Sequence, residues 1–227
     1  MQIYFIRHGH PNYKDDCLTD LGNLQAKACA KRLKNSGIQK IFSSPKGRAK
    51  ETAEWTAKEL GLAVEIVDFM SELNWGSKTA KPLLNKGEPW GVVSEMVCQG
   101  ENLLDKNWAE SEYFSDNKIV DSFKIATSGI DEWLRAFGYE REGDHYRVVG
   151  DDTKQTVAIF AHAAVYSAVL SHLLSVTFPW VVHVASPNFT SITVVTLRDG
   201  QGSLAYPRLS LLNDARHIEN IEKDGSL

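Results

Sequence analysis

Residues 1–10 read MQIYFIRHGH. Ile3 to Ile6 is an apolar run of strand length, and it ends on a cation, an imidazole and a glycine: Arg7, His8 and Gly9. A strand that is apolar on both faces belongs inside a sheet covered on both sides. In open α/β sheets ligands bind in the crevice outside the carboxyl ends of the strands. The stretch therefore predicts a central strand with functional groups at its carboxyl end.

The pattern continues outward. A helix is predicted from Thr19, with Ala26, Cys29, Ala30 and Leu33 at helical spacing and a stop at Gly37. Residues 38–42 read as a second strand. Ser44 and Pro45 follow as N-cap and first helical residue of a helix that carries Ala49, Ala53, Thr56 and Leu60 on one face and ends at Gly61. Residues 64–67 read as a third strand. Residues 76–115, with Gly87, Pro89, Trp90, Gly100 and Trp108, are irregular. A helix spans 119–137, closed by Gly138. A strand at 146–149 is followed by a turn at Gly150-Asp151-Asp152. A strand at 156–161 runs into a helix at 163–174. Strands at 191–197 and 203–206 are joined by a turn at Asp199-Gly200-Gln201-Gly202. The tail after Asn213 is polar and is expected at the surface. Strands alternating with helices predict an α/β fold: three layers, with a mostly parallel central sheet flanked by helices on both faces. At 227 residues, one domain over 1–227 suffices.

The chain is 43% hydrophobic and 24% charged, with a formal net charge of -4. No basic excess is present to hold nucleic acid or an anionic membrane, so a phosphate site must be local. Cys17, Cys29 and Cys98 are odd in number and lack metal-site spacing, which argues against a disulfide framework or a zinc site and for a reduced cytosol. The N-terminal apolar run is too short for a signal peptide. The run from Val157 to Leu170 is shorter than a membrane span and contains His162. The expectation is a cytoplasmic protein with no cofactor and no metal.

Chemistry-bearing residues collect just past the strands. Arg7, His8 and Gly9 follow the first, Ser43-Ser44-Pro45-Lys46-Gly47-Arg48 the second, Ser71-Glu72-Leu73-Asn74-Trp75-Gly76 the third, and His162 the 156–161 strand. The set suits a phosphate dianion. Arg7 and Arg48 supply permanent charge in bidentate forks. Adjacent cations disfavour an imidazolium, so His8 stays neutral and nucleophilic. His162 is placed to stabilise the equatorial oxygens of a transferring phosphoryl group. Glu72, with a raised pKa, can protonate the departing alkoxide. Glu101 and Asp105 are the rival acids.

The strand ending in Arg7-His8-Gly9, the run S-S-P-K-G-R-A-K-E-T-A, the downstream E-L-N-W-G, the late F-A-H-A-A and the closing L-L-N-D-A-R-H-I resemble the histidine phosphatase superfamily, or phosphoglycerate mutase-like family. The resemblance implies phosphorylation of His8, phosphate binding by Arg7, Arg48 and His162, and Glu72 as the acid. It also implies a capping insertion, for which 76–115 is the candidate. Two departures stand out. Ala163 and Ala164 replace the frequent glycines after the late histidine, leaving their N–H groups available to the pocket. The first motif continues R-H-G-H-P-N-Y rather than the mutase pattern R-H-G-E-S-x-W-N. Asn12 either contacts phosphate or turns the chain after Pro11.

The resulting expectation is a metal-independent, histidine acid phosphatase-type phosphomonoesterase acting through phosphohistidine. A phosphoglycerate mutase and a non-catalytic phospho-ligand module are the alternatives. Expected partners are a small phosphorylated substrate and, at most, a second copy of the chain as a homodimer. His10 is either a substrate contact or an exposed loop residue; His145, His172, His183 and His217 are expected to be structural or superficial.

Overall fold

The computed structural model describes residues 1–150, 154–197 and 202–224. In chain order the elements are β1 (Gln2–Arg7), β2 (Pro11–Asn12), β3 (Cys17–Leu18), α1 (Asp20–Leu33), β4 (Lys40–Ser43), α2 (Gly47–Leu60), β5 (Val64–Ile66) and α3 (Pro89–Cys98). Then follow α4 (Ile119–Arg135), β6 (Tyr139–Glu142), β7 (His145–Val148), β8 (Thr156–Ala161), α5 (Ala163–Leu173) and α6 (Phe178–Val184). The chain closes with β9 (Ile192–Leu197), β10 (Leu204–Ala205), β11 (Pro207–Asp214) and α7 (Glu219–Asp224).

Alternation along the central strands divides the core in two. Ile3, Phe5, Val157, Ile159, Val195 and Leu197 join one apolar cluster with residues of α4, α5 and α6. Ile6, Ala158, Phe160, Ile192 and Val194 join another with Cys29 and Leu33 of α1 and Ala53 and Ala57 of α2. The sheet thus carries helices on both faces, and its inner strands are mostly apolar because both faces are largely covered. Strand order is β11-β9-β1-β8-β4-β5. β1, β8, β4 and β5 pair in parallel, and β9 runs antiparallel to both β1 and β11. This is the mostly parallel, helix-flanked sheet that the sequence predicts.

Local differences have identifiable causes. Ser44 does not cap α2, which starts at Gly47 behind Lys46. The Ser44 hydroxyl is bonded to His162 Nε2 at 2.8 Å instead. The strand at 203–206 does not form a hairpin with β9. Leu204 and Ala205 pair with β7 in a separate sheet, and β9 pairs with β11. The turn expected at Gly150-Asp151-Asp152 is described only at Gly150, and of the turn at 199–202 only Gly202 is described. Within 76–115, α3 emerges with Glu88 as its side-chain cap and Pro89 at its start.

The tail lies largely at the surface, but two buried residues anchor it. Asp214, whose side chain is 3% exposed, accepts hydrogen bonds from Arg216 Nε at 2.9 Å and Arg32 Nη2 of α1 at 3.2 Å. Ile218 is buried one turn later. The arginine bonds hold the Asp214 carboxyl far below the usual carboxylate range, against the opposing effect of burial. A depressed carboxylate stabilises the fold above its ordinary pKa, and the contribution is lost as pH falls through that range and below. Asp214→Ala is expected to lower unfolding free energy at neutral pH by about 2 kcal/mol, since both arginines remain free to rehydrate. Urea denaturation checks this, and the deficit should shrink in acid.

Candidate active site

β1, β8 and β4 are adjacent, so their carboxyl ends deliver side chains to one place. Arg7 lies opposite Ala161 and Ser43 opposite Phe160. The pairing continues one residue further: His8 N–H donates to Ala161 O at 3.0 Å, and Ser44 N–H to Phe160 O at 2.9 Å. His8 and His162 therefore stand side by side, ring centroids 5.1 Å apart. Both are buried.

Two hydrogen bonds agree on the His8 tautomer. Nδ1 lies 2.7 Å from Gly9 O, a group that can only accept, so Nδ1 carries the proton. Arg48 Nε donates to Nε2 at 3.3 Å, so Nε2 presents its lone pair. Burial, together with the charges of Arg7 and Arg48, pulls the His8 pKa down to about 3. Burial, then His8 and Arg48, pushes His162 down still further. His162 Nε2 bonds Ser44, whereas its buried Nδ1 has no protein partner.

Refusing a proton has a measurable consequence. Below pH 6.5 the unfolded chain binds a proton that folded His8 declines until about pH 3. Stability therefore falls with pH across that window, by about 2 kcal/mol at pH 5 from His8 alone, and His162 acts in the same direction. Urea midpoints at pH 7.5 and 5.0 should show the drop, and His8→Gln should lessen it.

The two arginines are held differently. Arg7 Nη1 donates to Pro187 O at 2.7 Å, and its guanidinium lies 4.1 Å from the Phe189 ring centroid. Its Nε is buried without a protein partner. Arg48, in the first turn of α2, donates from Nη1 to Asp16 Oδ1 at 2.5 Å. Asp16 Oδ2 accepts the Gly47 N–H at 2.8 Å, so a residue 31 positions away caps a helix with no local cap.

Glu72 is anchored to the start of α5. Its Oε1 accepts N–H bonds from Leu73, Ala164 and Val165, each at 3.1 Å. Burial raises its pKa, against the opposing pull of the Val165 and Leu73 donors and of Arg48 and Arg7. With Oε1 so occupied, Oε2 is the oxygen available to hold a proton. Among the described residues, no three His, Cys, Asp or Glu side chains stand close enough to share a metal ion.

Residues 3–84, which carry Arg7, His8, Arg48 and Glu72, match the family model of the histidine phosphatase superfamily (branch 1). Over those residues the chain is similar to the histidine phosphatase superfamily. The probable phosphoglycerate mutase GpmB of Yersinia pestis (strain Pestoides F) is 30% identical over 123 residues, 46% of this chain and 57% of that protein. The match thus spans little more than half the length of the curated relative. Among solved structures, a mycobacterial glucosyl-3-phosphoglycerate phosphatase superposes with a TM-score of 0.64 at 20% identity, covering 93% of this chain and 98% of its own. A phosphoserine phosphatase of Entamoeba histolytica gives 0.63 at 19% identity, covering 96% and 98%. These structures share the fold.

Within the site His8 is bonded to Arg48 and stands against the His162 ring, and the charges of Arg7 and Arg48 reach both His8 and Glu72. Asn12 is bonded within its own loop: its Oδ1 accepts from Lys14 N–H and its Nδ2 donates to Asp15, bonds of the kind the turn-forming alternative expects. His10 bonds Thr19 and lies against Phe189. Glu101 and Asp105 line a separate cleft with Met96, Trp108 and Tyr113. The Ala164 N–H is not available to a ligand, because Glu72 takes it.

Sequence reasoning missed Asp16, Ser44 in its role toward His162, and Phe189, whose ring lies 5.8 Å from His8.

Proposed function

We propose that the chain is a phosphomonoesterase whose His8 carries the phosphoryl group between substrate and water. The observation that supports this most is the His8 imidazole, kept neutral by burial and two guanidinium groups, with its Nε2 accepting from Arg48 and its ring 5.1 Å from that of His162, whose Nδ1 is unpartnered. Substrate phosphate docks on Arg7, Arg48 and His162. Nε2 attacks phosphorus, the P–O ester bond breaks, and the departing alkoxide takes the proton from Glu72. A water then attacks phosphorus as Glu72 accepts its proton, the N–P bond breaks, and inorganic phosphate leaves. This reading carries with it a small phosphorylated substrate, a cytoplasmic setting, one domain over 1–227, and 76–115 as a cap.

The test is a brief incubation with substrate labelled in the phosphate, quenched in alkali. Label that survives alkali, is lost in acid and maps to His8 supports the mechanism; turnover with no protein-bound label at any time point refutes it. A second reading, transfer back to another hydroxyl of a phosphoglycerate, is favoured by the name of the Yersinia relative. A coupled assay with 3-phosphoglycerate separates the two.

A further inference from the structure

The loop that follows Gly9 brings a carboxylate, not an amide, to the phosphate-binding groups. Asp16 bonds Arg48 Nη1 through one oxygen and the first N–H of α2 through the other, at 2.5 and 2.8 Å. Arg48 in turn reaches His8 Nε2. The placement is rigid. A Cβ on Gly47 would fall 2.1 Å from Asp16 O, so the loop backbone is pressed against the helix start. Asp16 itself is held at φ +51°, a conformation that costs energy outside glycine and persists only where its surroundings impose it. Its side chain is nevertheless 40% exposed, so an arriving ligand meets its charge. Beside it the Tyr13 ring, 68% exposed, lies over the Arg48 guanidinium at 5.4 Å.

We propose that Asp16 sets the charge of the accepted substrate: phosphomonoesters with a neutral or cationic organic part are favoured, and those with a second anionic group near the phosphate are rejected. The proposal rests on the phosphate-site reading above. Asp16 takes the guanidinium N–H and helix-start N–H that would otherwise pair with a second anion. It also places a like charge at the position such a group would approach. A carboxylate next to an exposed aromatic face suits an ammonium instead.

Non-hydrolysable phosphonates test this without requiring turnover. Three of matched chain length, ending in a hydroxyl, a carboxylate or an ammonium, would be titrated by calorimetry into the wild-type chain and Asp16→Asn. Asparagine keeps the shape and one acceptor while removing the charge. The wild type should bind the carboxylate compound about tenfold more weakly than the hydroxyl compound, the scale of one like-charge contact in a half-wet site, and the ammonium compound at least as tightly as the hydroxyl. In Asp16→Asn the three affinities should converge to within about threefold, chiefly by tighter carboxylate binding. Equal wild-type affinities, or an order unchanged by Asp16→Asn, overturns the proposal. Failure of all three to bind overturns it together with the phosphate site. Binding in the expected order with no hydrolysis of the matching esters leaves it standing and removes the phosphatase reading alone.

Discussion

His8→Ala is expected to lower turnover of every phosphomonoester by about 10⁴-fold or more, because in the proposed mechanism His8 is the group that forms the covalent intermediate. Arg7, Arg48 and His162 remain in that variant, so KM should move far less than kcat. The wild-type pH profile carries a second signature. An ordinary imidazole would lose nucleophilicity below pH 6.5, whereas His8 stays neutral down to about 3. The kcat/KM of the wild type should therefore show no acid limb attributable to His8 near 6.5. Stopped phosphate-release assays on an aryl phosphate check both. Activity in His8→Ala within tenfold of wild type would refute the assigned role.

Glu72→Gln is the second large effect, and it should depend on the leaving group. The amide oxygen can still accept the N–H bonds of Leu73, Ala164 and Val165, so the anchor to α5 is kept. The proton for the departing oxygen is lost. An alkyl phosphate, whose alkoxide is a poor leaving group, should lose about 10²–10⁴-fold in kcat/KM. A nitrophenyl phosphate, which departs without help, should lose little in the bond-breaking step. The raised Glu72 pKa adds a pH test. The acid must be protonated at the start, so wild-type kcat/KM on the alkyl ester falls as pH rises through that pKa. The fall should vanish in Glu72→Gln. Equal losses on both esters would assign Glu72 a structural role.

The central sheet was legible because β1 and β8 are apolar runs flanked by helices of clear periodicity. Arg7, His8 and His162 were legible because adjacent parallel strands must present their following residues together. Non-local partners were less so. Ser44-Pro45 carries a sound local capping signal, yet the hydroxyl bonds His162 at the end of the adjacent strand, and the helix begins later. Asp16 caps α2 from another loop, a pairing that no local pattern encodes. β10 was assigned to a hairpin by proximity in sequence, but its ladder partner is β7. The polar tail carries one decisive acid, Asp214, whose arginine partners lie in α1 and two residues further along the chain.

α5 is buried at every position but His172. His162 immediately precedes it, and two of the three amides that grip Glu72, those of Ala164 and Val165, belong to its first turn. That turn cannot fray without exposing the apolar shaft behind it, so its opening approaches the free energy of global unfolding. The proposed catalytic frame and the hydrophobic core are thus expected to open as one unit, and on warming activity and folded structure should be lost at the same midpoint.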